Sequence, residues 1–553
     1  MWAAFPPLNL WPIAWFAPIG LLRLIDEPDL IGRRPYRTIW VAGFVHWALV
    51  FHFLPLPHWA GYFGWVALSF YLAFYFPAFV VLTRLARHRL GMPLALAAPV
   101  VWTALELVRG YLFTGISMAL LGHTQVAWLP VIQIADLVGA YGVSFAIMFV
   151  AACLTRVLPL DQRRWSLLPL VPGVLLMAGI LAYGVMRLNE PIVEDVELDS
   201  RPLRVALIQG SLDTVFGEDM ERYRQNFRDY LDLTDRAVKD RDDLDLIVWP
   251  ESMFTSGDAE LVYEEGQEIP VPRVLADKVH NPEFTEKVQE GAAAFRTKLV
   301  DVAQWVNRSD DSRRRTHLLL GVETLQFRDA DVERYNTAML VHPDGQIGGR
   351  YYKMHRVVFG EYIPFGHIFP WVYHLSPMDQ PLTAGDAPAA FEVDGWRLAP
   401  SICFESTVPH FIQRQTERLS NEGAPPDVLV NITNDGWFWG SACLDLHLTC
   451  TVFRSVELRR PHLVAANTGF SAHIDGNGRV VAKGPRRDTG VVYAEVRRDG
   501  RYSLYRQLGD WPARTCTILA LGWLVIALAR RRRSQGGSAE TDPANSAKPA
   551  RSV

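Results

Sequence analysis

The sequence predicts a multi-span α-helical membrane bundle joined to a mixed-sheet α/β layered domain. Three observations predict it. Residues 1–190 are apolar with sparse charge, residues 200–510 have the balanced composition of an ordinary α/β unit, and residues 513–529 are apolar again before a polar tail over 530–553. At 553 residues, half of them hydrophobic and 18 of them tryptophan, the chain is too long for one compact domain. A formal net charge of −4 gives no sign of a nucleic-acid partner. The five cysteines have no repeated spacing and no CxxC pair, so neither a disulfide framework nor a metal site is expected. Cys443 and Cys450, seven apart, are expected to be packing residues.

A spanning helix needs roughly 20 mostly apolar residues. Windows near 8–25, 38–54, 61–83, 93–111, 130–155, 166–187 and 513–529 meet or approach that length. Basic residues fall in alternate connections: Arg33, Arg34 and Arg37; Arg84, Arg87, His88 and Arg89; Arg156, Arg163 and Arg164; and Arg530 to Arg533. The connections near 55–60 and 112–129 contain no lysine or arginine. Positive loops stay in the cytoplasm, so residues 200–510 are expected on the outer face and the tail inside. The same alternation would start span 8–25 outside. "MWAAFPPLNLWPIAWF" therefore reads as the turn after a missing first span, with a short outer N-terminus as the alternative. No basic n-region, apolar stretch and small-residue site mark a cleavable signal peptide. Polar residues inside or beside spans (Glu106, Arg109, His123, Gln125, Gln133, Asp136) need partners. Glu106 and Arg109, three apart on one helix face, are expected to form a structural ion pair.

Within 200–510, "RPLRVALIQG", "DLDLIVWPES", "THLLLGVET", "WRLAPSICFES" and "PDVLVNITNDGWF" read as buried strands. Residues 221–240 carry one apolar stripe of a helix, and 450–461 read as another. "RYNTAMLVHPDGQIGGRYYKMHRV" and "HLVAANTGFSAHIDGNGRVV" read as hairpins around Pro343-Asp344-Gly345 and a Gly-Asn-Gly turn. Strands alternating with helices, followed by hairpins, point to layers around a mixed sheet. Residues 255–315 are highly charged and less regular, and read as a surface excursion.

Three reactive groups share one kind of position, at or just after a strand end: Glu251, Lys353 and Cys403. Strand ends are where α/β sheets build sites. Each residue alone has an ordinary reading, as a surface carboxylate, a solvated lysine or a small buried thiol. Together they suffice for acyl transfer through a thioester. A thiol becomes a nucleophile on losing its proton to a carboxylate base. A lysine favours the thiolate and stabilises an oxyanion.

Here a resemblance enters. "WPES", "YYKMHRVVFGEYIPF", "ICFE" and "NITNDGWF", in that order, resemble the nitrilase, or carbon–nitrogen hydrolase, superfamily. With the apolar bundle, "GAYGVSF", "NDGWFWGS" and "VELRRPHLVAANTGFSAHID", the chain resembles the apolipoprotein N-acyltransferase family from about residue 5 to 530. The resemblance implies an αββα sandwich carrying Glu251 as base, Lys353 as oxyanion stabiliser and Cys403 as nucleophile. It implies no cofactor and no metal. It implies supporting roles for Glu361 and Glu405, and an aromatic beside the nucleophile, Phe404, where the family usually has tyrosine. Asn434 and Asp435 are expected to hold the turn around the site by side-chain-to-backbone bonds. Phe365, Ile368, Phe369, Trp371, Trp437, Phe438 and Trp439 are apolar loop residues expected to meet acyl chains or the bilayer surface, with ordinary packing the alternative. The implied reaction takes an acyl chain from a membrane phospholipid, typically phosphatidylethanolamine, onto Cys403. The chain then passes to the N-terminal amine of a diacylglyceryl-cysteine lipoprotein, at the outer face of a bacterial inner membrane, by a monomer. His355, near Lys353, is set aside as a partner for the cysteine because the implied triad already has its base. The rival readings are a membrane-anchored hydrolase of small amides using water, a silent lipid-binding scaffold, and a transporter. The bundle shows no clear internal repeat in favour of the last.

Overall fold

The architecture was established from a computed structural model. It describes the chain except residues 31, 158–165, 193–200, 215–219, 256–257, 265, 267–268, 270, 272–280, 309–314, 329–330, 367, 370, 372, 374–379 and 537–553. The bundle comprises α1 (Ile19–Asp26), α2 (Pro35–Val50), α3 (Gly61–Ala73), α4 (Tyr75–Arg84), α5 (Leu94–Tyr111), α6 (Leu129–Ile132), α7 (Ala135–Thr155) and α8 (Val171–Asn189). Among the described residues, five helical stretches are long and apolar enough to cross a membrane: Gly61–Arg89, Leu94–Tyr111, Ala135–Thr155, Leu168–Asn189 and Trp511–Arg530.

Two of the seven windows differ from single long helices. Residues 8–25 are not one helix. The short turn Trp11–Trp15 and the eight-residue α1 share them, with Pro12 and Pro18 each opening a new segment. The second window forms α2, which at 16 residues is about 24 Å long and falls short of a hydrocarbon core. The expected pair Glu106–Arg109 is also corrected. Glu106 Oε1 accepts the Leu121 N–H at 2.8 Å. Arg109 donates to the Ala119 carbonyl at 3.3 Å and lies over the Trp47 ring. The basic connection over 158–165 and the tail from 537 lie outside the described residues.

Beyond the bundle come β1 (Leu203–Gln209), α9 (Met220–Asp240), β2 (Leu246–Val248), β3 (Glu260–Val262), α10 (Asn281–Val306), β4 (His317–Arg328), β5 (Asp331–Val341) and β6 (Ile347–Tyr352). Then follow β7 (Phe391–Val393), β8 (Trp396–Ile402), α11 (Pro409–Asn421), β9 (Val428–Thr433), α12 (Cys443–Leu458), β10 (His462–Ala466), β11 (Ala472–Ile474), β12 (Val480–Lys483), β13 (Gly490–Val496), α13 (Leu504–Leu508) and α14 (Trp511–Gly536). One sheet runs β13-β1-β2-β4-β5-β6 with β3 beside β4, and the other runs β12-β11-β10-β9-β8-β7. In both, the central strands are parallel and the outer ones antiparallel. The parallel strands β2 and β9 are buried at every position, as their unbroken apolar reading requires.

The two sheets face each other across Val205, Leu207, Leu246 and Leu340 on one side and Leu398, Ile402, Val430 and Leu463 on the other. Tyr230 of α9 and Phe295, Leu299 and Val302 of α10 cover the outer face of the first sheet. Ile412 and Leu419 of α11 cover the second. The result is a helix–sheet–sheet–helix sandwich. The excursion over 255–315 is more regular than its charge suggested, because Phe284, Val288, Phe295, Leu299, Val302 and Val306 form the buried stripe of the 26-residue α10.

Sandwich and bundle are packed together. The apolar side of α12 (Cys450, Phe453, Val456) joins one continuous core with Val131, Ile132, Ala140 and Ile147 of the bundle. α7 bends at Gly139 (φ +67), where a Cβ would fall 2.5 Å from the Tyr505 ring. Asp136 sits at the centre of the contact. Its carboxylate accepts from Tyr183 (2.8 Å), Arg187 (2.8 Å) and Arg459 (2.7 and 2.9 Å). The Arg459 and Asp136 side chains are 0% and 1% exposed. Replacing Asp136 by alanine is expected to leave two buried guanidinium groups without their shared anion and to destabilise the protein by about 3–5 kcal/mol. Thermal unfolding of the full chain in detergent micelles measures this, and an unchanged midpoint would show that the arginines find other partners.

Candidate functional site

The site lies where strands of the two sheets end side by side. Glu251 follows β2, in a turn that passes over β4 at Gly321. A Cβ on that glycine would fall 2.2 Å from the Pro250 oxygen and 2.6 Å from Glu251 Cα. The Glu251 carboxylate is fixed at both oxygens. Asn336 Nδ2 of β5 donates to Oε1 at 2.6 Å, and the Asn434 N–H donates to Oε2 at 2.9 Å.

Lys353 follows β6 and is 1% exposed. Its ammonium donates to Glu361 Oε1 at 2.5 Å and lies 3.5 Å from Glu251 Oε1. Glu361 is held in turn by the Val357 N–H at 2.7 Å. Burial works against the charge on Lys353, but Glu361, then Glu251 and Cys403, outweigh it and hold the ammonium well above its usual range. Lys353 is therefore a fixed cation.

Cys403 opens the tight turn Cys403–Thr407 directly after β8 and has φ +53, a left-handed conformation that β-carbon-bearing residues seldom adopt. Asn431 Nδ2 donates to its carbonyl oxygen at 3.2 Å. Burial, then the Glu251 carboxylate, push the Cys403 thiol well above its usual range, while Lys353 pulls the other way. The resting group is a neutral thiol, with a carboxylate and an ammonium close enough for each to act on its charge.

Glu405, fully buried, ties the two loops together. It accepts from the N–H groups of Ile402 (2.7 Å), Met354 (2.8 Å) and His355 (2.9 Å) and from the Tyr351 hydroxyl (2.9 and 3.0 Å). Burial pushes its carboxyl up to about 7 against the pull of those donors. Phe404 stacks on the His355 ring, with centroids 5.9 Å apart. Asn434 Oδ1 accepts from Gly436 N–H, Thr214 and Asn467 at 3.2, 3.1 and 2.9 Å, which pins the turn after β9. Asp435 accepts from Thr433 at 3.1 Å and pairs with His447 at 3.0 Å.

The expected lipid contacts divide into two kinds. Phe365, Ile368, Phe369 and Trp371 are more than half exposed, and Trp439 is 44% exposed. Trp437 and Phe438 are half-buried, and Phe438 packs edge-on against Phe53 of the bundle. Sequence reasoning missed Asn336, Asn431 and His447. The first two are buried amides on strands, and for Asn431 a polar residue between the apolar Val430 and Ile432 was the signal. His447 lies on a buried helix face with no motif of its own. Among the described residues no cluster of His, Cys, Asp or Glu has the arrangement to hold a metal ion.

Residues 204–506 match the carbon-nitrogen hydrolase family, and residues 1–153 match the apolipoprotein N-acyltransferase N-terminal domain. An apolipoprotein N-acyltransferase of Rhodopirellula baltica is 32% identical, over 97% of this chain and 97% of its own. The chain belongs to the apolipoprotein N-acyltransferase family. A relative of the same name from Geobacter metallireducens is 31% identical, over 96% of this chain and 93% of its own. Among solved structures, an amidase from Nesterenkonia sp. is similar over 58% of this chain and 98% of its own, at 14% identity and a TM-score of 0.36, and nothing is inferred from that likeness. The family assignment makes the chain a membrane enzyme of the nitrilase superfamily, built as a helical bundle with an α/β sandwich.

The charges acting on Cys403 give this family member a test with a defined sign. Lys353 lowers the thiol's proton affinity and Glu251 raises it. Alkylation of Cys403 by a small neutral electrophile is expected to keep accelerating as pH rises well past about 8.5, the ordinary thiol value, because the thiol holds its proton above it. Lys353→Met is expected to move that rise to higher pH, and Glu251→Gln to lower pH. Peptide mass spectrometry of alkylated protein over a pH series reads both shifts, and an identical response of the two variants would show that neither charge reaches the sulfur.

Proposed function

We propose that the protein transfers an acyl chain from a membrane phospholipid to the N-terminal amine of diacylglyceryl-cysteine in bacterial lipoproteins, in two steps through a thioester on Cys403. The observation that supports this reading best is the meeting of a carboxylate, a fixed ammonium and a strained cysteine at one edge of a sandwich seated on an apolar bundle. In the first step Glu251 takes the thiol proton as the sulfur attacks the ester carbonyl. The developing oxyanion is stabilised by the Lys353 ammonium. Collapse breaks the ester C–O bond, and the leaving lysophospholipid oxygen takes the proton back from Glu251. In the second step the lipoprotein amine attacks the thioester, Glu251 receives its proton, and the Cys403 thiol is restored as the amide forms.

Glu361 holds Lys353 charged and in place, and Glu405 fixes the lysine loop against the nucleophile turn. Phe404 keeps an aromatic beside Cys403 without a hydroxyl. Phe365, Trp371, Trp437 and Phe438 are the proposed contacts for acyl chains. The two-substrate chemistry suits the topology that the basic connections favour, with the sandwich on the periplasmic face of the inner membrane and the last helix ending inside. Phosphatidylethanolamine is the proposed donor, a monomer the proposed unit, and no cofactor or nucleic acid takes part.

Intact mass spectrometry of the protein in micelles containing phosphatidylethanolamine is expected to show a hydroxylamine-labile gain of one acyl chain, absent from Cys403→Ala. A diacylglyceryl-cysteine peptide is expected to discharge it with formation of the amide. Discharge at the same rate by buffer alone would identify a hydrolase using water. No adduct on folded protein would remove Cys403 as the nucleophile.

A further inference from the structure

Cys403 is not held by the active-site charges alone. Behind it, His447 of α12 is 5% exposed and sits between two acceptors. Its Nδ1 faces the Asp435 carboxylate at 3.0 and 3.3 Å. Its Nε2 faces the main-chain carbonyl oxygen of Cys403 at 3.1 Å and the Ser406 hydroxyl at 2.9 Å. Thr451 donates to Ser406 at 3.3 Å from the next turn of the same helix. A carbonyl oxygen and a carboxylate only accept hydrogen bonds. The Ser406 hydroxyl can turn its proton to Nε2 or, at 3.4 Å, to the same carbonyl oxygen. The doubly protonated imidazole is the form that donates to the carboxylate and to the Cys403 carbonyl at once. Burial opposes that charge, but Asp435, the Cys403 carbonyl and Glu251 outweigh it and raise the proton affinity of His447.

We propose that Asp435 and His447 form a positioning pair, an imidazolium anchored by a carboxylate that grips the backbone carbonyl of Cys403 and keeps the nucleophile's left-handed turn in place through acyl transfer. This rests on the reading of Cys403 as the acyl carrier. The physical need is specific. With φ at +53, the Cys403 peptide is in a left-handed conformation that persists only where the surroundings over-determine it. Asn431 and His447 supply two donors to the same carbonyl oxygen and so fix the peptide plane from which the thiol projects. The groups facing His447 are Asp435 after β9, Glu251 after β2, Cys403 and Ser406 after β8, Thr451 on α12, and His462 on β10, which in turn feels Arg454.

The sign of the pH effect follows. A histidine with raised proton affinity keeps its grip below its folded pKa and loses it as pH rises through that value. The test uses the full chain in phosphatidylethanolamine micelles and follows the rate of Cys403 acylation over pH. His447→Ala is expected to slow acylation by about a hundredfold at neutral pH with little change in the phospholipid concentration for half-maximal rate, the loss typical of a misplaced reacting group. His447→Gln keeps a donor for the carbonyl and carries no titrating proton, so it is expected to recover most of the rate and to lose the alkaline decline of the unaltered protein. Asp435→Asn, which covers the case in which the alanine variant does not fold, is expected to shift that decline to lower pH. A wild-type rate in His447→Ala, a glutamine variant as slow as the alanine one, or an unmoved decline in Asp435→Asn would overturn the proposal. A readout without substrate separates this from the acyl-carrier reading. Nitrogen-15 spectra of the unreacted protein at neutral pH are expected to show one histidine protonated on both ring nitrogens, missing from His447→Gln. Its absence overturns the positioning pair even where the acyl-enzyme forms. Its presence with no acyl-enzyme in the unaltered protein overturns the acyl-carrier reading and, with it, the pair's proposed role.

Discussion

One buried carboxylate, that of Glu405, fixes the relation between the two halves of the site. Lys353 hangs from the end of β6 in one sheet and Cys403 from the end of β8 in the other, and among the described residues no strand pairing links those sheets. Glu405 bridges them through three backbone N–H groups and one phenol. Hydrogen bonds to an ionised acceptor are worth roughly 1.5–3 kcal/mol each, and several together are needed to offset the desolvation of a fully buried carboxylate. Every donor comes from a loop or strand end that carries a functional group or adjoins one. The same carboxylate therefore satisfies the turn's orphan N–H groups and sets the spacing between ammonium and sulfur.

The charges around that bridge explain why the site is quiet at rest. Lys353 is shared by two carboxylates, and both oxygens of Glu251 are already hydrogen-bonded. The cation is fixed in place by its two carboxylates, the preorganisation that the proposed reaction requires of a group meeting developing negative charge. The thiol, surrounded by more carboxylate than ammonium, holds its proton well above the usual thiol range. A preformed environment of this kind depends on rigid supports, here the amides of Asn336 and Asn431 on strands and the buried carboxylates of Glu361 and Glu405 in the loops after β6 and β8.

Much of this was legible in the sequence. The apolar runs ending at Glu251 and Cys403, the Pro-Asp-Gly turn of the hairpin before Lys353, and the order of the four motifs carried the sandwich and the meeting of its reactive residues. What failed did so for physical reasons. Hydropathy averages over a window and does not register that Pro12 and Pro18 divide the first apolar stretch into short pieces. Helical spacing places Glu106 and Arg109 on one face but says nothing of the Leu121 N–H and Ala119 carbonyl that take them in separate directions. In α10 the heptad-like stripe was present from Phe284 to Val306, and the high charge of the surrounding residues hid it. His447 had no signal, because its role depends on Asp435 and Cys403 converging from two other loops. Partners for Asp136 came from Arg187 and from Arg459, far along the chain, a pairing that no local pattern encodes.

Helix α12 belongs to two interiors at once. One side carries His447 toward the nucleophile turn, and the other, through Cys450, Phe453 and Val456, completes the bundle's core. Its last turn sends Glu457 to the Ala140 N–H, and the residue after it, Arg459, reaches Asp136. A sandwich excised at residue 200 would bring that apolar wall into water and strand Glu457 and Arg459 without their counterparts. Many α/β enzymes can be cut from their anchors and studied as free-standing soluble fragments. Here bundle and sandwich share one continuous core, and severing the two amounts to opening it.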